Sequence, residues 1–326
     1  MSTPALVAKS DLLKQMPSCS YTNPPDLDAF SWSRIFEIVA AGLPLRKALE
    51  FKTLHSEAYH AVNRAFRKVT KLKIEVLQKK TSGENKEPTM YTVQGSSTPN
   101  PETAIEMVRY VLTHAKMIRQ LDIYFEDHDL TVFNQLMDVV IQSENVQLES
   151  FLVKRRHAGQ SVVKIGDVIR ANASTLREVS RIGITEAAYG FNDEINLDRF
   201  GCMVFDLGYQ PLPNQILLNM IRITESGAKF KMFSYTSFSG YDPTDEIVQN
   251  LLDNAQVEEI KLTMMNPPQI APRPGYMIGK VRSVKSIILV EVVPGPRRFN
   301  RMYASRDIFE KVFPNCHHNI QFLHQF

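Results

Sequence analysis

Five short stretches of this 326-residue chain carry residue types that do chemistry in other settings. Gly275-Tyr276-Met277-Ile278-Gly279-Lys280-Val281 imitates a phosphate-cradling loop. Three residues separate its glycines instead of four, and no Ser or Thr follows the lysine to hold magnesium. Cys316-His317-His318, with His324 beyond it, has the composition of a metal site. Zinc would need a second ligand pair at matching spacing, and adjacent histidines rarely reach one ion together. Glu126-Asp127-His128-Asp129 gathers groups able to exchange protons, but it follows a strand pattern and precedes a helix pattern. Acids there are explained by the positive end of the helix. Lys154-Arg155-Arg156-His157 and Arg297-Arg298 with Arg301 read as solvated loops after strands. If they share one edge of the fold, they could instead hold an acidic or phosphorylated segment of another protein. The expectation is a chain with no catalytic, cofactor-binding or metal site, and not an enzyme.

The elements that would position such residues repeat. Apolar runs occur at KLKIEV (71–76), LDIYF (121–125), LESFLV (148–153), LREVSRI (176–182), MVFDL (203–207), FKMFSY (230–235), VEEIKL (257–262) and VKSIIL (284–289), with NIQFLHQF at the end. Most obey one spacing: apolar, two residues, apolar, one residue, apolar. Ile118-Leu121-Ile123, Leu148-Phe151-Val153, Val257-Ile260-Leu262 and Val284-Ile287-Leu289 show it. From Leu121 the runs recur about every 27–30 residues, the period of stacked repeats. A unit of that size holds one strand and one helix and cannot bury its own apolar face, so it must stack. The spacing predicts parallel strands in one curved sheet, with Ile123, Phe151, Phe205, Phe233, Ile260 and Ile287 lining its inner side.

Between the strands, Phe133-Leu136-Met137-Val140, Ile165-Val168-Ile169 and Leu217-Met220-Ile221 have the stripe of amphipathic helices. Asp242-Pro243-Thr244-Asp245-Glu246 has the cap, proline and acids of a helix start. Ala304-Ser305-Arg306-Asp307 precedes Ile308, Phe309, Val312 and Phe313, and Pro314 stops that helix. Thr185 to Arg199 reads as a short or irregular helix, and the proline-rich stretch Asn266–Gly279 as loop. Residues 79–102 are rich in Ser, Thr, Gly, Pro and charge. They predict a mobile insertion, with Met90–Val93 able to add a strand beside 71–76. A doubly wound nucleotide-binding sheet would alternate strand and helix similarly, but it needs a glycine-rich first turn that is missing here.

The first seventy residues follow another pattern. Residues 1–21 are polar and aperiodic and predict a disordered tail, with no cationic stretch and apolar core of a signal peptide. Trp32, Ile35, Phe36 and Val39 are spaced for one helix face; Gly42 and Pro44 break it. Leu45, Ala48 and Leu49 begin a second helix, and Ala58, Ala61, Val62, Ala65 and Phe66 mark a third. Three helices over 22–68 make a module too small to be stable alone, so it must lean on a neighbour.

Composition narrows the class. With 44% hydrophobic residues the chain can bury a large core, and no run approaches the length of a membrane span. A net charge of +3 is too small to imply a nucleic-acid partner. Three scattered cysteines, Cys19, Cys202 and Cys316, suit a reducing compartment, cytoplasmic or nuclear.

Residues 69–326 resemble the leucine-rich-repeat family in its longer, helix-containing variety. Phe, Met and Val replace Leu at many anchors, and the Asn or Cys that follows the family's strand motif is missing from most repeats. Ile35-Phe36 followed by Leu45-Arg46-Lys47-Ala48-Leu49-Glu50-Phe51-Lys52 resembles the core of an F-box, at the family's own gap. Leu27 falls on the family's opening leucine; Asp28 stands where its proline belongs, Phe51 for a cysteine and Leu54 for a tryptophan. The two resemblances together imply an α/β fold: a helical F-box-like module over 22–68, then an irregular leucine-rich-repeat solenoid over 69–326. They imply the substrate-recognition adaptor of a cullin-RING ubiquitin ligase. The module would dock on a Skp-type linker, bringing in the cullin, through Trp32, Ile35, Phe36, Leu43, Pro44, Leu45 and Leu49, and the repeats would bind a target protein. No nucleic acid, membrane or cofactor enters this reading. The same apolar side chains would also serve as a cap shielding the end of the repeats. The alternative is a repeat scaffold without ligase membership.

Overall fold

The computed structural model describes residues 28–78, 88–126, 130–155, 163–204, 213–237, 246–265, 283–294 and 317–325. The described residues open with three helices, α1 (Ala29–Gly42), α2 (Leu45–Lys52) and α3 (Ser56–Arg67). Asp28 caps α1, its carboxylate accepting from the Ser31 N–H at 2.6 Å. Strand β1 (Lys71–Gln78) then pairs antiparallel with β2 (Thr89–Val93), and β2 with β3 (Ser96–Thr98). The hairpin turns at Gln94 and Gly95, both with positive φ. Within the stretch expected as a mobile insertion, residues 89–93 and 96–98 are thus strands. Tyr91 and Val93 are buried in the core, and residues 79–87 lie outside the described residues.

The remaining elements alternate. Helix α4 (Pro101–His114) leads to β4 (Ile118–Phe125), α5 (Leu130–Ile141) to β5 (Val146–Arg155), and α6 (Val163–Ala171) to β6 (Glu178–Gly183). Then come α7 (Ile184–Gly190), β7 (Asn196–Val204), α8 (Pro213–Glu225), β8 (Lys229–Ser237), α9 (Glu246–Asn254), β9 (Glu259–Met265), β10 (Ser286–Pro294) and β11 (His317–Gln325). All lie in one sheet, ordered β11-β10-β9-β8-β7-β6-β5-β4-β1-β2-β3, in which β1 and β4 to β11 run parallel. Each crossover steps one strand in the same direction. Right-handed crossovers of that kind keep all the helices on one face, and successive helices from α3 to α9 pack against one another.

The two-then-one apolar spacing explains the register. Leu72, Leu121, Phe151, Val179, Phe200, Phe233, Ile260 and Ile287 occupy one continuous row across eight strands. Those from Leu72 to Ile260 are buried. The helices close over this row: Phe133, Leu136, Met137 and Val140 of α5 and Ile165, Val168 and Ile169 of α6 are buried against it. Ile123 is buried on the inner side, as the spacing predicts, one row further along and paired with Val153. Phe200 takes the inner position expected of Phe205, which lies outside the described residues. The cause is a shortened unit: α7 is only seven residues long, so Leu197-Phe200-Cys202 reaches the sheet early with the same spacing as its neighbours. The stretch read as an irregular helix to Arg199 ends in strand β7. The segments 266–279 and 304–313 lie outside the described residues.

Sheet and module share one core. Leu45 is 1% exposed, its N–H donates to the Gln94 carbonyl, and the Arg46 N–H donates to Ser96 Oγ at 2.7 Å. Lys52 clamps the seam: its Nζ donates to Tyr110 Oη at 3.1 Å and lies 4.4 Å from the centre of the Tyr59 ring.

Candidate functional site

Helix α1 points its polar groups inward and much of its apolar surface outward. On its inner side Ser33 accepts from the Arg64 guanidinium, and Glu37 takes Lys68, with Arg64 3.6 Å away. The hydrogen bond from Lys68, reinforced by the charges of Lys68, Arg34 and Arg64, holds the Glu37 carboxyl below the usual carboxylate range. Among the described side chains of α1 only Ala40 is buried; Phe36 is half-buried, stacked on His55 and tilted against Phe51 at 5.5 Å. Outside lie Trp32 (46% exposed), Ile35, Ile38 (62%) and Val39, with Phe30 at the helix start. Leu54 and Tyr59, from the start of the next helical turns, are exposed too.

The seven residues expected to meet a partner therefore divide. Trp32, Ile35 and Pro44 are exposed; Phe36, Leu43 and Leu49 are half-buried; Leu45 is buried beneath the hairpin. Leu43 and Leu45 line a cavity of about 380 Å³ with Ala40, Phe66, Val69 and Gln94, at the seam of module and sheet. Pro44 is the residue just before α2, and its carbonyl accepts from the Ala48 N–H at 2.9 Å. Sequence reasoning missed Phe30, Ile38, Leu54 and Tyr59. A signal was present: Phe30 and Ile38 fall off the stripe of Trp32, Ile35, Phe36 and Val39, so α1 has more apolar surface than one buried face uses.

The chemistry-bearing stretches lie only in part among the described residues. Glu126 is buried at the end of β4, whereas 127–129 and 275–281 lie outside the described residues, as do 156–157 and 297–301. Lys154 is exposed on β5. His317, His318 and His324 fall on β11. Burial pushes the Cys202 thiol up, leaving it a small apolar filler rather than a nucleophile. Among the described residues no group of His, Cys, Asp and Glu is arranged to hold a metal ion. No helix there is long and apolar enough to cross a membrane.

No family model and no curated protein matches the chain.

Proposed function

We propose that the chain is a substrate-recognition adaptor: the α1–α3 module docks on a Skp-type linker of a cullin-RING ubiquitin ligase, and the parallel sheet with its helices presents a target protein. The observation that carries this reading is the outward apolar surface of α1. Trp32, Ile35, Ile38 and Val39 face solvent on a helix whose polar Ser33 and Glu37 are turned inward. An apolar surface left open beside a satisfied core is what a partner's interface looks like before assembly. Large side chains such as Trp32 are where interface energy concentrates.

The rest of the molecule supports the reading in two ways. Strands that follow one another in order, all parallel, with one helix layer are what stacked leucine-rich repeats require. The resemblance of Ile35-Phe36 and Leu45–Lys52 to an F-box supplies the linker as the partner. Within the module, contact falls to Trp32, Ile35, Phe36, Pro44 and Leu49; Leu43 and Leu45 serve the seam with the sheet.

The test is co-purification of the full chain with the Skp-type linker and a cullin, against the double variant Ile35→Glu, Ile38→Glu. Both positions are exposed, so the variant keeps its fold. Wild type should bring down both proteins and the variant neither. If wild type brings down neither, the chain acts as a repeat scaffold outside the ligase.

A further inference from the structure

The face of the sheet away from the helices carries one irregularity, at β6. Elsewhere along the inner row one outward residue separates successive inward ones, as Asp122 separates Leu121 from Ile123 and Leu152 separates Phe151 from Val153. On β6 two residues, Ser180 and Arg181, lie between buried Val179 and buried Ile182, and pairing with β7 slips at that point. Both are thereby delivered to the open face as a bulge. Arg181 takes a φ of 61°, the left-handed region, and among the described residues no other strand residue does. Gly or Asn would occupy that backbone at lower cost. The arginine is therefore not explained by the backbone it sits on.

The strand opposite is adapted to the bulge. Gly201 of β7 lies beside it, and a Cβ there would come within 3.3 Å of Ser180 Cα and 3.4 Å of Arg181 N. A glycine inside a strand weakens it and marks a close approach. Here it leaves the strand position beside the bulge backbone free of any side chain. Of the neighbouring open-face positions, Ser150, Ser180 and Ser234 carry hydroxyls, while Leu152, opposite Ser180, is apolar.

The local charge is unbalanced. Glu178 is engaged, accepting from Ser180 Oγ at 3.0 Å and lying 3.7 Å from Arg199 Nη1. Arg181 on β6 and Lys154 on β5 meet no carboxylate among the described residues, and neither does Lys261 on β9. Lys154, Arg181 and Arg199 thus stand over three adjacent strands about 4.8 Å apart, whose carboxylates Glu149, Glu178 and Asp198 are each already paired with a basic side chain.

We propose that Arg181 is the centre of an anion-receiving site on this open face, which takes the carboxylate or phosphate of one side chain in an extended segment of the target protein. A guanidinium offers two parallel donors to either group, Lys154 and Arg199 add charge, and the serines add hydroxyl donors. The face is a shallow strip, which suits a segment lying across it. This inference rests on the proposed function only in taking the sheet as the target-binding side. It needs no ligase component.

The probes are three degenerate peptide pools, alike except for a central phosphoserine, aspartate or serine, titrated onto the full chain at low and high salt. The expected result is binding of one or both anionic pools, weakened by salt, and at least about tenfold over the serine pool. The stronger of the two pools identifies the group. Arg181→Gly fits the φ of the site, so its thermal midpoint should hold or rise while anionic binding falls at least about tenfold. Arg181→Lys should recover part of that loss, since charge returns but the fork does not. Equal binding of all pools, no binding of any pool, or anionic binding untouched in Arg181→Gly would each overturn the site. Because the probes contain no linker, failure here leaves the α1 reading standing, and failure of co-purification leaves this one.

Discussion

Strands β1 to β9 turn Leu, Ile, Val and Phe toward the helices and keep their charges on the open side, most of them paired with a neighbouring strand. Helix α1 does the reverse: Ser33 and Glu37 are engaged beneath it, while Ile35, Ile38 and Val39 meet solvent. The inner side of the sheet is complete as it stands. The module is complete only where it touches the sheet, through Leu45, Ala48 and Phe66. Burial therefore separates residues that hold this fold from residues that await something, and substitutions in the two regions should behave in opposite ways.

The largest effect belongs to the inner row. Phe200 is fully buried, with its ring 4.8 Å from that of Phe191, 5.1 Å from Phe230 and 5.5 Å from Phe233. Phe200→Ala removes the centre of this cluster and should cost about 3–5 kcal/mol, read from urea unfolding. A cost under about 1 kcal/mol would mean the cluster is loosely packed and the comparison wrong on the sheet side.

The seam comes next. Lys52→Met keeps the length of the side chain but removes its hydrogen bond to Tyr110 and its place over the Tyr59 ring. The loss should be about 1 kcal/mol. Hydrogen exchange should show it as faster opening of α2 and α3 with β7 to β9 unchanged. Uniform loosening of both regions would show that module and sheet unfold as one unit, and that the distinction drawn here is not an energetic one.

On α1 the same kind of change should cost almost nothing. Ile35→Glu with Ile38→Glu places charge where there is already water, so stability should stay within about 0.5 kcal/mol of wild type. Binding of an apolar dye should fall at the same time, because the open patch is gone. A large loss of stability would show that these side chains are covered, and would remove the ground for a partner surface.

How much of this the residues announce follows from distance along the chain. The two-then-one spacing is local, so the parallel strands, their order and the inner positions of Phe151, Phe233 and Ile260 were readable. Phe200 was not, because α7 is short and the constant period pointed past it to 203–207. The hairpin of β2 and β3 was half hidden: Met90–Val93 read as a strand, but Ser96–Thr98 looked like loop until Tyr91, Val93 and Thr98 met the core. Leu45 and Trp32 look alike in a helical stripe, and only packing beneath Gln94 sends one in and leaves the other out. Arg181 is one arginine among many until Gly201, on the far side of α7 in the chain, is placed against its backbone.

The smallest effect lies in a row that no local pattern shows. Along the edge where the strands begin, Arg119, Glu149, Arg177, Asp198, Lys231, Glu258 and Lys285 stand side by side with strictly alternating sign. Arg119 meets Glu149 at 3.0 Å, Lys231 meets Asp198 at 2.8 Å, and Lys285 meets Glu258 at 3.2 Å. Lys231 holds the Asp198 carboxyl below its ordinary value, so this contribution is present above 3.8 and fades as pH falls through the lower folded value. Asp198 holds the Lys231 ammonium above its ordinary value, so that contribution is present below 10.5 and fades as pH rises past it. Between those limits the row should be flat with pH. All these side chains are solvated, and exposed pairs add little to stability. Asp198→Asn should therefore lower the thermal midpoint only slightly at low salt. At about 1 M salt, where screening acts within about 3 Å, the difference should vanish. Alternation of this kind acts mainly by disfavouring a wrong neighbour, since skipping one strand in the order would set like charges side by side. A drop for Asp198→Asn comparable to Phe200→Ala would contradict that. It would place the hold of the sheet in its outer charges as much as in its inner row.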